Sequence, residues 1–342
     1  MSEPVMTTTT TKTTTQSTLE VENLCVEFRT DAGWRRVVDG VSFSVAPGET
    51  LGLVGESGSG KTVTCMSIPR LLPRQARIAA GSIRLAGRDL LALPESQMQE
   101  VRGRDIGVVF QEPSASLNPA FTVGDQIMAV IRRHERIGRR QARQRAIELL
   151  RQVGIPRADL RVDAYPHEFS GGMAQRAMIA MAIACSPALL LADEPTTALD
   201  VTIQAQIIDL FRSLQDELGM AMIVVSHDLA MVGELAHRIN VMYSAEVVET
   251  GTRSQVLGEP RHPYTEGLLS AMPHLTTDQG RLNVIPGTAR VAGDEATGCR
   301  FAPRCSYAAE QCTAADIPLT YAQGTHAQRC VRADELSLRG WV

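Results

Sequence analysis

The sequence predicts an α/β protein on a mainly parallel sheet, and three observations carry that expectation. A glycine-rich loop, Gly55-Glu56-Ser57-Gly58-Ser59-Gly60-Lys61-Thr62, follows the apolar run 51–54 and leads into a stretch able to continue as a helix. Between residues 173 and 225, apolar runs of strand length alternate with amphipathic stretches of helix length. That is the pattern of strands buried on both faces beneath crossover helices. A chain of 342 residues is long enough to bury one large core and to carry a small appended unit.

The elements follow in order. Residues 1–18 are a threonine-rich tail with nothing to bury, expected to be disordered. Residues 24–28 and 41–45 alternate with period two and read as strands, and Pro47-Gly48-Glu49 is the turn before the strand that feeds the loop. Residues 81–85 and 106–110 read as two further strands. From 111 to about 170 the character is helical, with clear periodicity over 123–131 and 140–153, as if a helical unit were inserted. A helix over 173–185 and a buried strand over 189–192 come next. Ile203, Ile207, Leu210, Phe211, Leu214 and Leu218 then mark one face of a helix, which leads to a buried strand over 222–225. Pro- and Gly-rich sequence begins near 258, so the domain spans 19–258 and a C-terminal extension spans 259–342.

Composition excludes several classes. The net charge is −4, which argues against a nucleic-acid partner bound through a broad basic surface. The cluster Arg132, Arg133, Arg136, Arg139 and Arg140 reads as the solvated face of a helix. The longest apolar stretch, 177–192, is interrupted by Ser186 and Pro187 and is too short to span a bilayer. The threonine-rich N-terminus has no apolar core of a secretory signal. A cytoplasmic protein that reaches a membrane through partners is expected.

The glycine-rich loop matches the phosphate-binding pattern at all eight positions. Its backbone N–H groups can turn inward around a β-phosphate at a helix N-terminus. Lys61 is placed for the β/γ oxygens and Thr62 for Mg²⁺, so the chain reads as a nucleotide-binding protein. Leu189-Leu190-Leu191-Ala192-Asp193-Glu194 ends a buried strand in two carboxylates. Asp193 is expected to orient Mg²⁺, and Glu194 to polarise an attacking water. Ser170-Gly171-Gly172 opens another apolar helix and makes a second anion-binding N-terminus, too close in sequence to Glu194 to be a complete second site.

These segments, in this order, resemble the ATP-binding-cassette (ABC) ATPases over roughly residues 19 to 340. The resemblance implies an ABC-type P-loop NTPase fold, with an antiparallel β subdomain and a helical subdomain at about 112–186 added to the parallel core. Ser170-Gly171-Gly172 is similar to the signature loop, which completes the nucleotide site of the opposite subunit. Gln111 resembles the Q-loop glutamine, which contacts Mg²⁺ and water and touches the membrane subunits. Ala198-Leu199-Asp200 is similar to the D-loop at the dimer seam, and His227 to the switch histidine that senses the γ-phosphate. The family stacks adenine on an aromatic residue of the early sheet; Trp34 or Phe28 suits that role, and Trp34 is favoured.

Further segments narrow the branch. Phe110-Gln111-Glu112-Pro113 with Ser116-Leu117-Asn118-Pro119, Tyr165-Pro166-His167-Glu168-Phe169, His262-Pro263-Tyr264-Thr265 and Gly298-Cys299-Arg300-Phe301-Ala302-Pro303-Arg304-Cys305 resemble dipeptide/oligopeptide (Dpp/Opp-type) importer ATPases. Ser244-Ala245 departs from the Ala-Gly usual in that branch. The resemblance implies an ATP- and Mg²⁺-dependent subunit on the cytoplasmic face of the membrane. Its expected partners are a second cassette, two transmembrane permeases and an extracytoplasmic solute-binding protein, importing peptides or related small solutes. The rival is a soluble cassette ATPase of DNA repair or translation; neither the fused second cassette nor the long coiled-coil insertion expected of that class is present.

Seven cysteines divide into two groups. Cys25, Cys65 and Cys185 stand in apolar runs and read as buried thiols. Cys299, Cys305, Cys312 and Cys330 fall in an extension too small to build a core, where a metal staple is expected. Their spacings of five, six and seventeen intervening residues suit the perimeter of a [4Fe–4S] cluster better than the paired spacing of zinc sites. Zinc, free structural thiols and oxidation-dependent pairing are the alternatives.

Overall fold

Two sheets organise the chain. The first is antiparallel, with order β2-β1-β4-β5, and is made of β1 (Leu19–Thr30), β2 (Gly33–Val45), β4 (Ala76–Leu85) and β5 (Arg88–Asp89). The second has order β11-β12-β10-β9-β3-β8-β7-β6. It takes β3 (Thr50–Val54), β6 (Ile106–Val109), β7 (Leu189–Asp193), β8 (Ala221–Ser226), β9 (Arg238–Tyr243), β10 (Glu246–Thr252), β11 (Thr320–Gln323) and β12 (His326–Gln328). This computed structural model describes residues 17–197, 199–272, 285–288 and 297–341. Most of the expected disordered tail, residues 1–16, and Ala198 of the D-loop-like segment lie outside them.

The run β9-β3-β8-β7-β6 is parallel, as expected. Its strands read as unbroken apolar runs because both faces are covered. Along β7, Leu189 and Leu191 enter the core beneath the antiparallel sheet, while Leu190 and Ala192 enter the core beneath the helices. Residues 221–225 of β8 alternate between the two cores in the same way. The antiparallel strands run longer than the periodicity marked, because β1 is paired on both sides, to β2 and to β4.

The inserted helices run from Val123 to His134 and from Arg139 to Gln152, close to the expected spans. Thr122 caps the first by accepting from the Asp125 N–H at 3.1 Å. Gly124 lets that helix approach Val162, whose carbonyl oxygen would lie 2.4 Å from a Cβ there.

Strands β9 to β12 were not legible as strands, and they change the picture of the C-terminal extension. Strand β12 pairs with β10, so the extension continues the main sheet. Glu249 of β10 is fully buried and accepts from the N–H groups of Arg261 and His262, from Thr265 Oγ1 at 2.6 Å and from His326 Nε2 at 2.8 Å. One satisfied carboxylate thus ties the start and end of the extension to the sheet. The rings of Tyr243, Tyr264 and Phe301 pack between sheet and extension with centroids 4.7 to 5.3 Å apart.

The β9–β10 turn contains the departure noted above. Ser244 and Ala245 stand at φ 45° and 78°, two side chains in the left-handed region that glycine occupies freely. Its fixed position braces the loop, for the Ala245 N–H donates to the Ser59 carbonyl at 3.1 Å and its own carbonyl accepts from the Asp39 N–H at 2.8 Å.

Candidate nucleotide site

The phosphate loop leaves β3 and enters the helix Lys61–Ser67. Gly55 and Gly60 are required by both conformation and space. They stand at φ 150° and 103°, and a Cβ would meet the Met242 carbonyl oxygen at 2.1 Å or that of Val37 at 2.7 Å. Lys61 is buried, and its ammonium donates to the carbonyls of Gly55 at 2.7 Å and Glu56 at 2.9 Å. Burial pulls its pKa down, while the carboxylates of Glu194, Asp193 and Glu56 pull it back up. A buried ammonium solvated by neutral carbonyls is a ready partner for phosphate oxygens.

Asp193 and Glu194 leave β7 together and take different directions. Asp193 is buried and accepts from Thr62 Oγ1 at 3.0 Å; burial raises its pKa and the Thr62 hydrogen bond lowers it. Two hard oxygen donors at this distance, one of them an anion, fit the preferences of Mg²⁺. Glu194 adopts φ 45°, an unfavourable conformation for a side-chain-bearing residue, and its N–H donates to the Val225 carbonyl at 2.9 Å.

Three side chains converge on one oxygen of Glu194. Oε2 accepts from Thr197 Oγ1 at 2.9 Å and Gln111 Nε2 at 3.3 Å, and His227 Nδ1 lies 3.2 Å away. Gln111 comes from the end of β6, Glu194 from β7 and His227 from β8. The parallel sheet therefore delivers three separate motifs to one edge, beside the loop that β3 feeds. The resulting cleft of about 750 Å³ is lined by Gly55, Glu56, Ser57, Gly58, Gly60, Lys61, Thr62, Gln111, Glu194, Thr197 and His227. Leu268, Ala271 and Ile285 supply an apolar wall. Such a site can hold a triphosphate and set a carboxylate beside its terminal group.

Other expected residues stand apart from this cleft. Ser170 caps the helix Gly171–Ala182 by accepting from the Met173 N–H at 3.3 Å. Gly172 packs against Ile203 so closely that a Cβ would fall 2.9 Å from its Cγ2. Asp200 caps the helix Val201–Leu218 by accepting from the Ile203 N–H at 3.0 Å. None of Ser170, Gly171, Gly172 and Asp200 lines the cleft of its own chain. Trp34 does not line it either. The Arg77 guanidinium lies over its ring at 4.0 Å, and Trp34 faces a separate cleft shared with Asp39 and Arg300.

Sequence reasoning missed Thr197 and the extension residues. Thr197 is three residues beyond Glu194 in a turn, where no periodicity marks it. Tyr264 and Arg304 lie in segments quoted above for their resemblance, but nothing local links them to the loop. Tyr264 Oη accepts from the Glu56 N–H at 2.7 Å, and Arg304 grips the Glu56 carboxylate. Cys299, Cys305, Cys312 and Cys330 do come together, lining one small apolar pocket with Phe301 and His262. All four are free thiols. Burial pushes Cys299 up to about 12 and raises Cys305 and Cys330. Among the described residues, no three His, Cys, Asp or Glu side chains stand close enough to share one ion.

The fold and this cleft define an ATP-binding-cassette ATPase, and comparison with known proteins agrees. Residues 38–197 match the ABC transporter family, and residues 248–312 match the oligopeptide/dipeptide transporter C-terminal region. The chain is 53% identical over 312 residues to a putative peptide import ATP-binding protein of Brucella melitensis, covering 91% of this chain and 94% of that one. A second such protein, from Brucella abortus, is 52% identical over 334 residues, covering 94% and 99%. Among solved structures, a dimeric ATP-binding cassette in a post-hydrolysis state bound to ADP and Pi superposes with a TM-score of 0.62 at 26% identity. That match covers 69% of this chain and 98% of the other. The chain belongs to the ABC transporter ATP-binding subunits that carry the oligopeptide/dipeptide-type C-terminal region. It is an ATPase, with ATP and Mg²⁺ as its cofactors.

Proposed function

We infer that the chain is the ATP-hydrolysing subunit of an importer of peptides or related small solutes. The convergence of Gln111, Glu194 and His227 beside a complete phosphate loop carries the hydrolytic part of this reading. The C-terminal region, shared with relatives named for peptide import, supports the substrate class. Lys61 is assigned to the β/γ-phosphates, Thr62 and Asp193, with Gln111, to Mg²⁺, and Glu194 to the attacking water. Mg²⁺, when bound, neutralises phosphate charge. Gln111, Thr197 and His227 orient Glu194, and His227 reports the terminal phosphate to the rest of the site.

Ser170, Gly171, Gly172 and Asp200 lie away from their own chain's cleft, which fits a role at the nucleotide of a second cassette. Two cassettes then sandwich two ATP molecules, on the cytoplasmic face of the membrane beneath two permeases. No described helix is long and apolar enough to cross a bilayer, so the permeases supply the membrane anchor. A solute-binding protein outside the membrane completes the assembly. Ser170→Arg tests the sandwich: monomeric ATP binding should stay near the parent value, while hydrolysis by the assembled complex falls about a hundredfold because a bulky cation blocks closure. A strictly monomeric preparation that hydrolyses ATP at the full rate of the complex would exclude it.

For the extension we propose an iron–sulfur cluster held by Cys299, Cys305, Cys312 and Cys330. The four thiols line one apolar pocket, and their wide spacing in the sequence suits a cluster better than zinc. Protein purified anaerobically should be coloured and contain iron and acid-labile sulfide. A colourless preparation with stoichiometric zinc would rule the cluster out.

A further inference from the structure

Glu56 places a carboxylate within a loop that receives a triphosphate. Its carboxylate adds a negative charge to the wall of the cleft, where it opposes the incoming anion and competes for the charge of Lys61. The extension answers that charge. Arg304 donates to Glu56 Oε2 at 2.6 Å and Oε1 at 2.9 Å, a two-pronged grip. The arginine is itself held firmly. Its side chain is only 7% exposed, its Nε donates to the Pro286 carbonyl at 2.9 Å, and its guanidinium lies 5.7 and 5.9 Å from the rings of Tyr243 and Phe301. Tyr264 Oη, accepting from the Glu56 N–H at 2.7 Å, fixes the backbone of the same residue.

We propose that Arg304 is a positioning residue of the ATP site, which cancels the charge of Glu56 and, with Tyr264, holds that residue in place. The C-terminal extension is then a working part of the nucleotide site, 248 residues distant in sequence from the loop it serves. This rests on the loop 55–62 being the ATP site.

The test is equilibrium binding of MgATP to the full chain at low salt. Arg304→Met keeps an unbranched side chain against the rings and removes the charge; it should weaken ATP binding about tenfold, and the effect should shrink as salt is added. Glu56→Gln should act in the opposite direction and tighten binding several-fold, because Arg304 then faces the phosphates unopposed. The double variant should return most of the way to the parent value. A packing role for Arg304 predicts no such reversal of sign. Parent-like binding by Arg304→Met, weaker binding by Glu56→Gln, or a double variant no better than Arg304→Met alone would each overturn the proposal. Should Arg304→Met fail to fold, the sign of the Glu56→Gln effect decides. Lys61→Ala is the control: if it binds ATP normally, the reading of the loop itself fails, whatever Arg304 does.

Discussion

Glu194→Gln should bring steady-state ATP hydrolysis down by about three orders of magnitude while leaving MgATP bound. The amide matches the carboxylate in shape, so the constrained backbone at φ 45° is unaffected. Thr197 and Gln111 donate to Oε2 beside His227, and an amide oxygen in that place still accepts from both donors. What is lost is the base. Removing one negative charge near Lys61 also favours the bound triphosphate, so ATP should accumulate on the protein. Phosphate release measures the loss, and gel filtration with MgATP should show the trapped dimer. A variant that keeps more than about a tenth of the parent rate would remove Glu194 from its assigned role.

Lys61→Ala should act at the earlier step. The ammonium lies against the Gly55 and Glu56 carbonyls, within a loop whose other donors are neutral, the backbone N–H groups and the hydroxyls of Ser57, Ser59 and Thr62. Its removal leaves the β/γ-phosphates without a side-chain cation in the loop and should weaken ATP binding by about a hundredfold or more. Equilibrium binding of a fluorescent ATP analogue checks this directly. Equal losses of affinity in Lys61→Ala and Glu194→Gln would contradict the division of roles between them.

Most residues that line this cleft, Thr197 apart, were legible because each lies in a short contiguous motif. The loop 55–62, the carboxylates after 189–192, Gln111 after 106–110 and His227 after 222–225 all follow apolar runs that could only be strands buried on both faces. A parallel sheet then brings strand ends to one edge, which is why their convergence could be expected. The left-handed backbone at Glu194 had no such signal, since it arises from the chain's turn after β7. Strands β9 and β10 were missed because Arg238, Asn240, Glu246 and Glu249 break the apolar pattern; the buried Asn240 and Glu249 are satisfied by partners that only the fold supplies. The extension failed for the same reason. Its contacts with the loop, through Tyr264 and Arg304, join segments more than two hundred residues apart. Adenine recognition was the least legible: Trp34 and Phe28 are both aromatics of the early sheet, Trp34 was favoured, and packing across the sheet sets Arg77 over its ring.

ATP-dependent uptake of labelled di- and oligopeptides, in a strain lacking this chain, tests the central claim most directly. Uptake should be lost in the deletion strain, restored by the parent chain and left unrestored by Glu194→Gln produced at the same level. A deletion strain that imports every tested peptide and related small solute normally, while showing a defect in DNA repair or translation, would contradict the account.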